Sequence, residues 1–423
     1  MTNLITRPKG TYDLLKEDSI IYNNLLGAWI EICDLNNYKF IKTPTFEASS
    51  LFHRGVGETT DIVTKETYDF KDRGNRDITL RPEGTAGIVR AIIENKLYAN
   101  TNNYLKYYYY GPMFRYERPQ SGRFREFNQL GIEVFGNVSP YVDAEVINLG
   151  IKYFNSLKID NVTIKINNLG SKEDREKYKK VLVEYLKKHE DELCEDCKTR
   201  LETNPLRALD CKKDADKEFF KNMPKISDYI SDEGKKYFEE LLSNLEALDI
   251  EYEIDEKLVR GLDYYDYAVF EYVTSDERLA GASTICGGGR YNNLVKNLGG
   301  PDLAGVGFAV GYERLATIVK SLDLVDVNET IDVYIAPVDA KNISDALIIG
   351  TDLRDAGFKC EIDYRDTNFK NKMSTASKMN AAYAVIIGEE ELKDYSVVLK
   401  DLKTKEEKKI SINNLADELY INF

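Results

Sequence analysis

The chain has 423 residues, of which 43% are hydrophobic and 31% charged, with a formal net charge of -14. That length exceeds what a single core serves and points to two or three domains of an ordinary globular protein. No run of roughly 18 apolar residues is present to span a bilayer, and the opening MTNLITRPKGTYDLL lacks the apolar core of a signal peptide. The acidic total argues only weakly against a nucleic-acid partner, because local patches decide such binding.

In chain order, an amphipathic helix is expected over 17–36, with Ile21, Leu25, Trp29 and Ile32 at helical spacing. Strands follow over 38–47, 67–71 and 77–80, then a helix over 85–97 that Thr85 is placed to cap. Two strands joined by an arginine-rich loop fill 105–136, followed by a helix over 143–158 and a strand over 162–167. Helices and antiparallel strands mix here without regular alternation, which reads as α+β. The stretch 171–248 is rich in Lys, Glu and Asp and helical in pattern, so it reads as a helical insertion. Strand signals resume over 252–254 and 259–274. A linker is expected over 323–330. Beyond it, strand 332–338, helix 342–356, strand 359–363, helix 369–380 and strand 383–388 alternate as in a small α/β domain.

The hairpin over 105–136 is the most informative stretch. Its second strand alternates: Leu130, Ile132 and Val134 share one face, while Gln129, Gly131 and Glu133 share the other, with Gly131 leaving space between amide and carboxylate. Arg115 lies on the facing strand, and Arg118, Arg123 and Arg125 surround the turn. Such a set can hold an amine at one end and a polyphosphate at the other. At the strand-to-helix junction Arg81-Pro82-Glu83-Gly84-Thr85, Glu83 can hold an ammonium or cap the helix. In Arg260-Gly261-Leu262-Asp263-Tyr264-Tyr265, Arg260 can grip a phosphate or pair with Asp263. A regular strand would put Arg260 and Tyr265 on opposite faces, unless Gly261 allows a bend. The glycine runs 287–289 and 305–311 admit close approach of a ligand to the backbone, but match no dinucleotide or P-loop fingerprint. In the helix after the second run, Leu315, Ile318, Val319 and Leu322 form a buried stripe. Arg314 sits in its first turn, where a cation is unfavourable unless an anionic or π-stacked ligand offsets it. Lys370, Lys372 and Lys378 read as a solvated face.

The six cysteines suggest reduced thiols of a cytosolic protein. Cys194-x2-Cys197 with Cys211 and a nearby His189 is compatible with one zinc site. A single C-x2-C is weak, and free thiols are the preferred reading. With only two histidines, His53 and His189, and neither G-x-S-x-G nor H-E-x-x-H, histidine-based or zinc-peptidase catalysis has little material.

Together these stretches resemble the histidyl-tRNA synthetases, a family of class II aminoacyl-tRNA synthetases. The motifs that carry the resemblance are RPKGTYDLL, TLRPEGTAG, YGPMFRYERPQSGRFREFNQLGIEVFG, NPLRALDCK, LVRGLDYY, GGGRYNNLV and GVGFAVGYERL. The resemblance implies an α+β class II antiparallel catalytic sheet over 1–170 and 249–325. It also implies a helical insertion domain over 171–248, a C-terminal α/β anticodon-binding domain over 331–423, and a cytoplasmic homodimer. It implies activation of L-histidine by ATP with Mg2+, then transfer to the 3′ end of tRNA(His).

By the same resemblance, Arg115 binds the α-phosphate and Arg123 the outer phosphates, and Phe127 and Arg314 sandwich the adenine. Glu83, Thr85 and Gln129 hold the amino group of histidine. Glu133 and Tyr265 recognise the imidazole, with Tyr264 beside them and Tyr291 lining the pocket. Arg260 stabilises charge at the reacting carboxylate and α-phosphate. Magnesium bridges the phosphates, its protein ligands unspecified. Arg118 and Gln120 face the tRNA acceptor end. A site that hydrogen-bonds its substrate this way needs no editing domain. Asn128, Asp266-Tyr267-Ala268 and Asn292-Asn293 depart from the family pattern and bear on pocket detail. Two rivals are a catalytically inactive histidine-sensing paralogue, resembling the regulatory subunit of ATP phosphoribosyltransferase, and an RNA-binding module without turnover. The phosphate-binding arginines and complete third block argue against the first, and Glu83 and Glu133 against the second.

Overall fold

A computed structural model describes residues 4–57, 60, 62–100, 103–119, 122–159, 162–274 and 284–422. The chain divides into two compact units, Met1–Asp326 and Val327–Phe423. Among the described residues no helix is long and apolar enough to cross a membrane.

The first unit is built on an eight-stranded sheet. Its order is Lys39–Phe40, Leu105–Phe114, Glu126–Gly136, Ala304–Gly311, Thr284–Tyr291, Asp266–Thr274, Val162–Asn168 and Tyr252–Ile254. The interior is antiparallel, and only the two edge strands pair in parallel. The hairpin forms as expected, with Tyr109 opposite Gly131 and Tyr107 opposite Glu133. Helix Glu17–Leu35 packs on one side through Ile21, Leu25, Trp29 and Cys33; Cys33, not the half-buried Ile32, completes the stripe. Trp29 meets the Tyr153 ring edge-on. The Arg290–Asp143 ion pair, fully buried, binds the sheet to helix Pro140–Ser156, and the Tyr237 hydroxyl donates to the same carboxylate.

The expected strand over 38–47 is broken into Lys39–Phe40 and Phe46–Ala48, the latter joining Asp77–Leu80 and Tyr68–Lys71 in a separate sheet. The expected strand over 259–274 begins only at Asp266. A turn in which the Leu258 amide donates to the Asp255 carbonyl, over 2.9 Å, precedes an irregular segment carrying Arg260. In helix Tyr312–Ser321, Leu315, Ile318 and Val319 are buried, but Leu322 lies at the C-cap and is 36% exposed.

The segment rich in Lys, Glu and Asp is helical as expected, with helices Lys172–Lys188, Glu195–Thr203, Glu218–Lys221 and Asp232–Ala247. Ser171 and Asp174 form a reciprocal capping box at the first of these. Tyr178, Leu182, Leu186, Cys197 and Phe220 join one apolar cluster with Tyr264, Tyr265 and Tyr291, which lie at the large sheet. The segment therefore belongs to the first unit's core.

The second unit carries a five-stranded sheet ordered Cys360–Ile362, Ile331–Pro337, Ala381–Ile387, Ser396–Asp401 and Glu407–Ser411. The first three strands are parallel and connected by helices Ile343–Asp355 and Phe369–Lys378, as the alternation predicts. Lys372 is not solvated. It is 1% exposed and donates to the Pro337 carbonyl over 2.8 Å, so its stem fills the core beneath that helix.

Candidate active site

The floor of the site is the middle of the large sheet, where small residues leave room for large side chains lying flat. The Gly287 position faces the Arg260 guanidinium, Gly305 the Tyr291 ring and Gly307 the Glu133 carboxylate. A Cβ at Gly289 would stand 2.8 Å from the Tyr265 ring. The glycine runs thus make space for the chain's own functional groups as well as for a ligand. The space expected above Gly131 is filled by the Tyr109 ring, which lies against both Gly84 and Gly131.

One cleft opens over this floor. Glu83, Thr85, Gln129, Glu133, Tyr264 and Tyr265 line one part, and Arg115, Arg123, Phe127, Arg260 and Arg314 line it as well. The irregular course of residues 255–265 brings Arg260 and Tyr265 into the same cleft. Tyr291 does not line it. Fully buried, it stands behind Glu133 and donates its hydroxyl to that carboxylate. Arg118 is exposed and away from the cleft lining, and Gln120 lies outside the described residues.

The acidic end is tightly built. Helix Thr85–Glu94 is capped by Glu83, not Thr85. The two Glu83 oxygens accept from the backbone N–H groups of Thr85 and Ala86, over 2.7 and 2.8 Å. This frees the Thr85 hydroxyl to donate to Glu133 over 2.6 Å. Burial pushes the Glu133 carboxyl up to about 8, against the lowering by Thr85 and Tyr291, with the Glu83 charge adding to the rise. Burial also raises Glu83, partly countered by its amide donors. The Tyr265 phenol is pushed up to about 12 by burial, against the nearby Arg260. The side-chain oxygen of Gln129, a residue that lines the cleft, is buried with no hydrogen-bond partner among the described residues.

The basic end is held by a different set. Arg115 donates to the Pro82 carbonyl over 2.9 Å and lies 5.3 Å from the centre of the Phe127 ring. Arg123 pairs with Glu117 over 3.2 Å. Arg260 pairs with Glu271, not Asp263, and Glu271 also accepts from Thr284 over 2.7 Å. Arg314 donates to the Thr284 carbonyl over 2.6 Å, and burial followed by repulsion from Arg123 lowers its pKa. The Nε groups of Arg123 and Arg260 are buried without partners among the described residues. Glu117, Glu271, Tyr109 and Thr284 were not singled out from sequence. Glu271 had a signal, as a lone carboxylate amid the apolar residues AVFEYV of its strand.

The model of the family "Histidyl-tRNA synthetase" matches residues 10–315. The chain belongs to the histidyl-tRNA synthetase family. An "Anticodon binding domain" model matches residues 332–420. The histidine–tRNA ligase of Geobacillus sp. (strain WCH70) is 43% identical over 413 residues, covering 97% of this chain and 98% of the relative. That of Staphylococcus haemolyticus (strain JCSC1435) is also 43% identical, over 98% of both chains. The crystal structure of apo Staphylococcus aureus histidyl-tRNA synthetase superposes with a TM-score of 0.84 at 36% identity, covering 98% of this chain and all of that one. A histidyl-tRNA synthetase is an aminoacyl-tRNA synthetase, so this is an enzyme of the α+β class II architecture, with ATP use implied by the family.

Asp266, Asn292 and Asn293 form one contact. The Asp266 carboxylate accepts from the Asn292 N–H over 3.0 Å and the Asn293 amide over 3.1 Å, and pairs with Arg175. The Asn292 contact uses its backbone N–H, so only the Asn293 side-chain amide adds a donor to the Asp266 carboxylate. Asn128 donates through its backbone N–H to Glu313 over 2.7 Å and so holds the N-terminus of helix Tyr312–Ser321.

Proposed function

We propose that the cleft joins L-histidine to ATP, giving histidyl-adenylate and pyrophosphate, and then passes histidine to the 3′-terminal adenosine of tRNA(His). The observation that carries this is the meeting in one cleft of the buried Glu83 and Glu133 carboxylates with four arginines. Neutral imidazole has one donor and one acceptor nitrogen. Glu133 accepts from the donor, and Tyr265, its proton held firmly by burial, donates to the acceptor. Glu83, Thr85 and the unpartnered Gln129 oxygen receive the ammonium. Tyr264 packs on Tyr265 at 4.6 Å between ring centres, and Tyr291 keeps Glu133 oriented.

Adenine lies between Phe127 and Arg314, where a flat guanidinium stacks on a π-face. Arg115 takes the α-phosphate and Arg123 the outer phosphates. The histidine carboxylate oxygen attacks the α-phosphorus as pyrophosphate leaves in line. Arg115 and Arg260 neutralise the charge that builds there, and positioning supplies most of the rest. In the second step a ribose hydroxyl of the terminal adenosine attacks the histidyl carbonyl and AMP leaves. Magnesium, which favours carboxylates plus substrate phosphates, fits the hard oxygens of Glu117 and Glu271 beside these arginines. When bound it screens phosphate charge.

Arg118 and Gln120 face the acceptor end of the tRNA, and the second unit reads the anticodon. The chain works in the cytoplasm as a homodimer. Phe46 and Phe70, 57% and 47% exposed on one face of the three-stranded sheet, supply apolar surface for a partner copy. Charging of tRNA(His) with labelled histidine by the purified protein, with mass in solution measured by light scattering, tests this reading. Failure to charge overturns it, and a monomer overturns the dimer.

A further inference from the structure

The helical segment folds three cysteines and an aspartate onto one point. The Sγ atoms of Cys194, Cys197 and Cys211 and a carboxylate oxygen of Asp214 all lie within 4.8 Å of one another. Cys194 and Cys211 sulfurs are 3.6 Å apart, close to the roughly 3.8 Å that two thiolates take on a tetrahedral zinc with about 2.3 Å bonds. A disulfide requires about 2.0 Å and would leave one thiol and one carboxylate over. All three thiols are free. His189, the fourth ligand that spacing suggested, is turned away. It stacks on Phe219 and pairs with Glu192 over 2.7 Å.

The surroundings suit a bound cation. Cys194 is the N-cap residue of helix Glu195–Thr203 and Cys197 lies in its first turn, so the helix N-terminus favours thiolates there. Asp214 is 0% exposed yet points its carboxylate at the sulfurs; that oxygen accepts from the Cys194 N–H over 3.1 Å. Lys217 reaches the other Asp214 oxygen over 2.7 Å from the solvent side. Three sulfurs and a carboxylate on Zn2+ leave a net negative charge, which Lys217 offsets. Three sulfurs and a carboxylate oxygen converging at this spacing make a four-donor set of the kind that holds a tetrahedral cation.

We propose that Cys194, Cys197, Cys211 and Asp214 bind one structural Zn2+. The site staples residues 194–214 into one loop. Asn204, inside that loop, donates to Asp263 over 2.7 Å, and Asp263 belongs to the segment carrying Arg260, Tyr264 and Tyr265. The metal thereby braces the histidine pocket from behind.

The test is metal content of the full-length protein purified without chelator, and cobalt substitution followed by absorption spectroscopy. About one zinc per chain is expected, lost in Cys211→Ser and released faster to a chelator in Asp214→Asn. Cobalt should give a thiolate-to-metal charge-transfer band and tetrahedral d–d bands. If Cys211→Ser does not fold, the cobalt spectrum of the unmodified protein decides alone. No stoichiometric zinc with no thiolate–cobalt band overturns the proposal. So does zinc unchanged in Cys211→Ser, or a Cys194–Cys211 disulfide found by mass spectrometry under native conditions.

Discussion

The Thr85 hydroxyl donates to the Glu133 carboxylate over 2.6 Å, joining the first residue of a helix to the middle of a central strand. The contact exists because Glu83 takes over the capping of that helix. With Tyr291 donating from the opposite side, Glu133 is fixed before any substrate arrives, which is how a small ligand is selected without rearrangement.

Glu133→Gln keeps the shape and removes the charge. A hydrogen bond to a charged group contributes about 1.5–3 kcal/mol, so above pH 8, where the Glu133 carboxyl is ionised, KM for histidine should rise about 10- to 100-fold while KM for ATP changes little. Steady-state exchange kinetics with each substrate varied check this; equal losses for both substrates contradict the assignment.

The raised Glu133 carboxyl also sets a pH dependence. Near pH 7 the free site holds a proton that histidine's imidazole N–H must displace. Affinity for histidine should therefore climb between pH 7 and 8, level off above about 8, and lose this rise in Glu133→Gln. The folded state of the free enzyme holds this proton above the ordinary carboxylate range, where the unfolded state has lost it. That contribution to stability therefore declines as pH rises toward 8. Calorimetric titration and thermal melts across pH 6.5–8.5 read the two signs.

Arg260→Ala should leave histidine binding nearly intact but slow adenylate formation by about 10²–10³-fold, the usual cost of removing one transition-state charge partner. Since Glu271 would lose its ion-pair partner and keep only the Thr284 hydroxyl, Arg260→Lys serves as a companion variant expected to recover part of the rate and fold normally. Single-turnover adenylate formation is the readout. An unchanged rate in Arg260→Ala contradicts the role.

Arg175 is a positioning residue on helix Lys172–Lys188, donating to the Tyr265 carbonyl and to Asp266. Arg175→Met should raise KM for histidine several-fold with little change in KM for ATP, and Arg175→Lys should restore part of it. Equal changes in both constants would indicate only a loosened fold.

Much of the architecture was legible from residue pattern. Period-two alternation in FNQLGIEVFG defined the hairpin and the face of Glu133: Leu130, Ile132 and Val134 are core residues, while Gln129 and Glu133 line the cleft. The alternation of strands and helices beyond residue 331 was equally plain. The segment before Asp266 misled because Val259, Leu262 and Tyr264 are strand-favouring types held in an irregular path by tertiary contacts. Arg175 was hidden in an ordinary run of helix-surface charges, and Asp214 among the acids of the insertion. Neither has a local signal, since each acquires its partner only when distant segments pack. Lys372 was misread for the same reason: its charge suggests solvent, while the fold buries its stem under a carbonyl.

The most direct test is histidine-dependent exchange of pyrophosphate into ATP by the purified protein. Exchange should require histidine and ATP together, fail with other amino acids, and fall by about 10²–10³-fold in Arg260→Ala. Exchange without histidine, or no exchange from folded protein with all components present, would contradict the account.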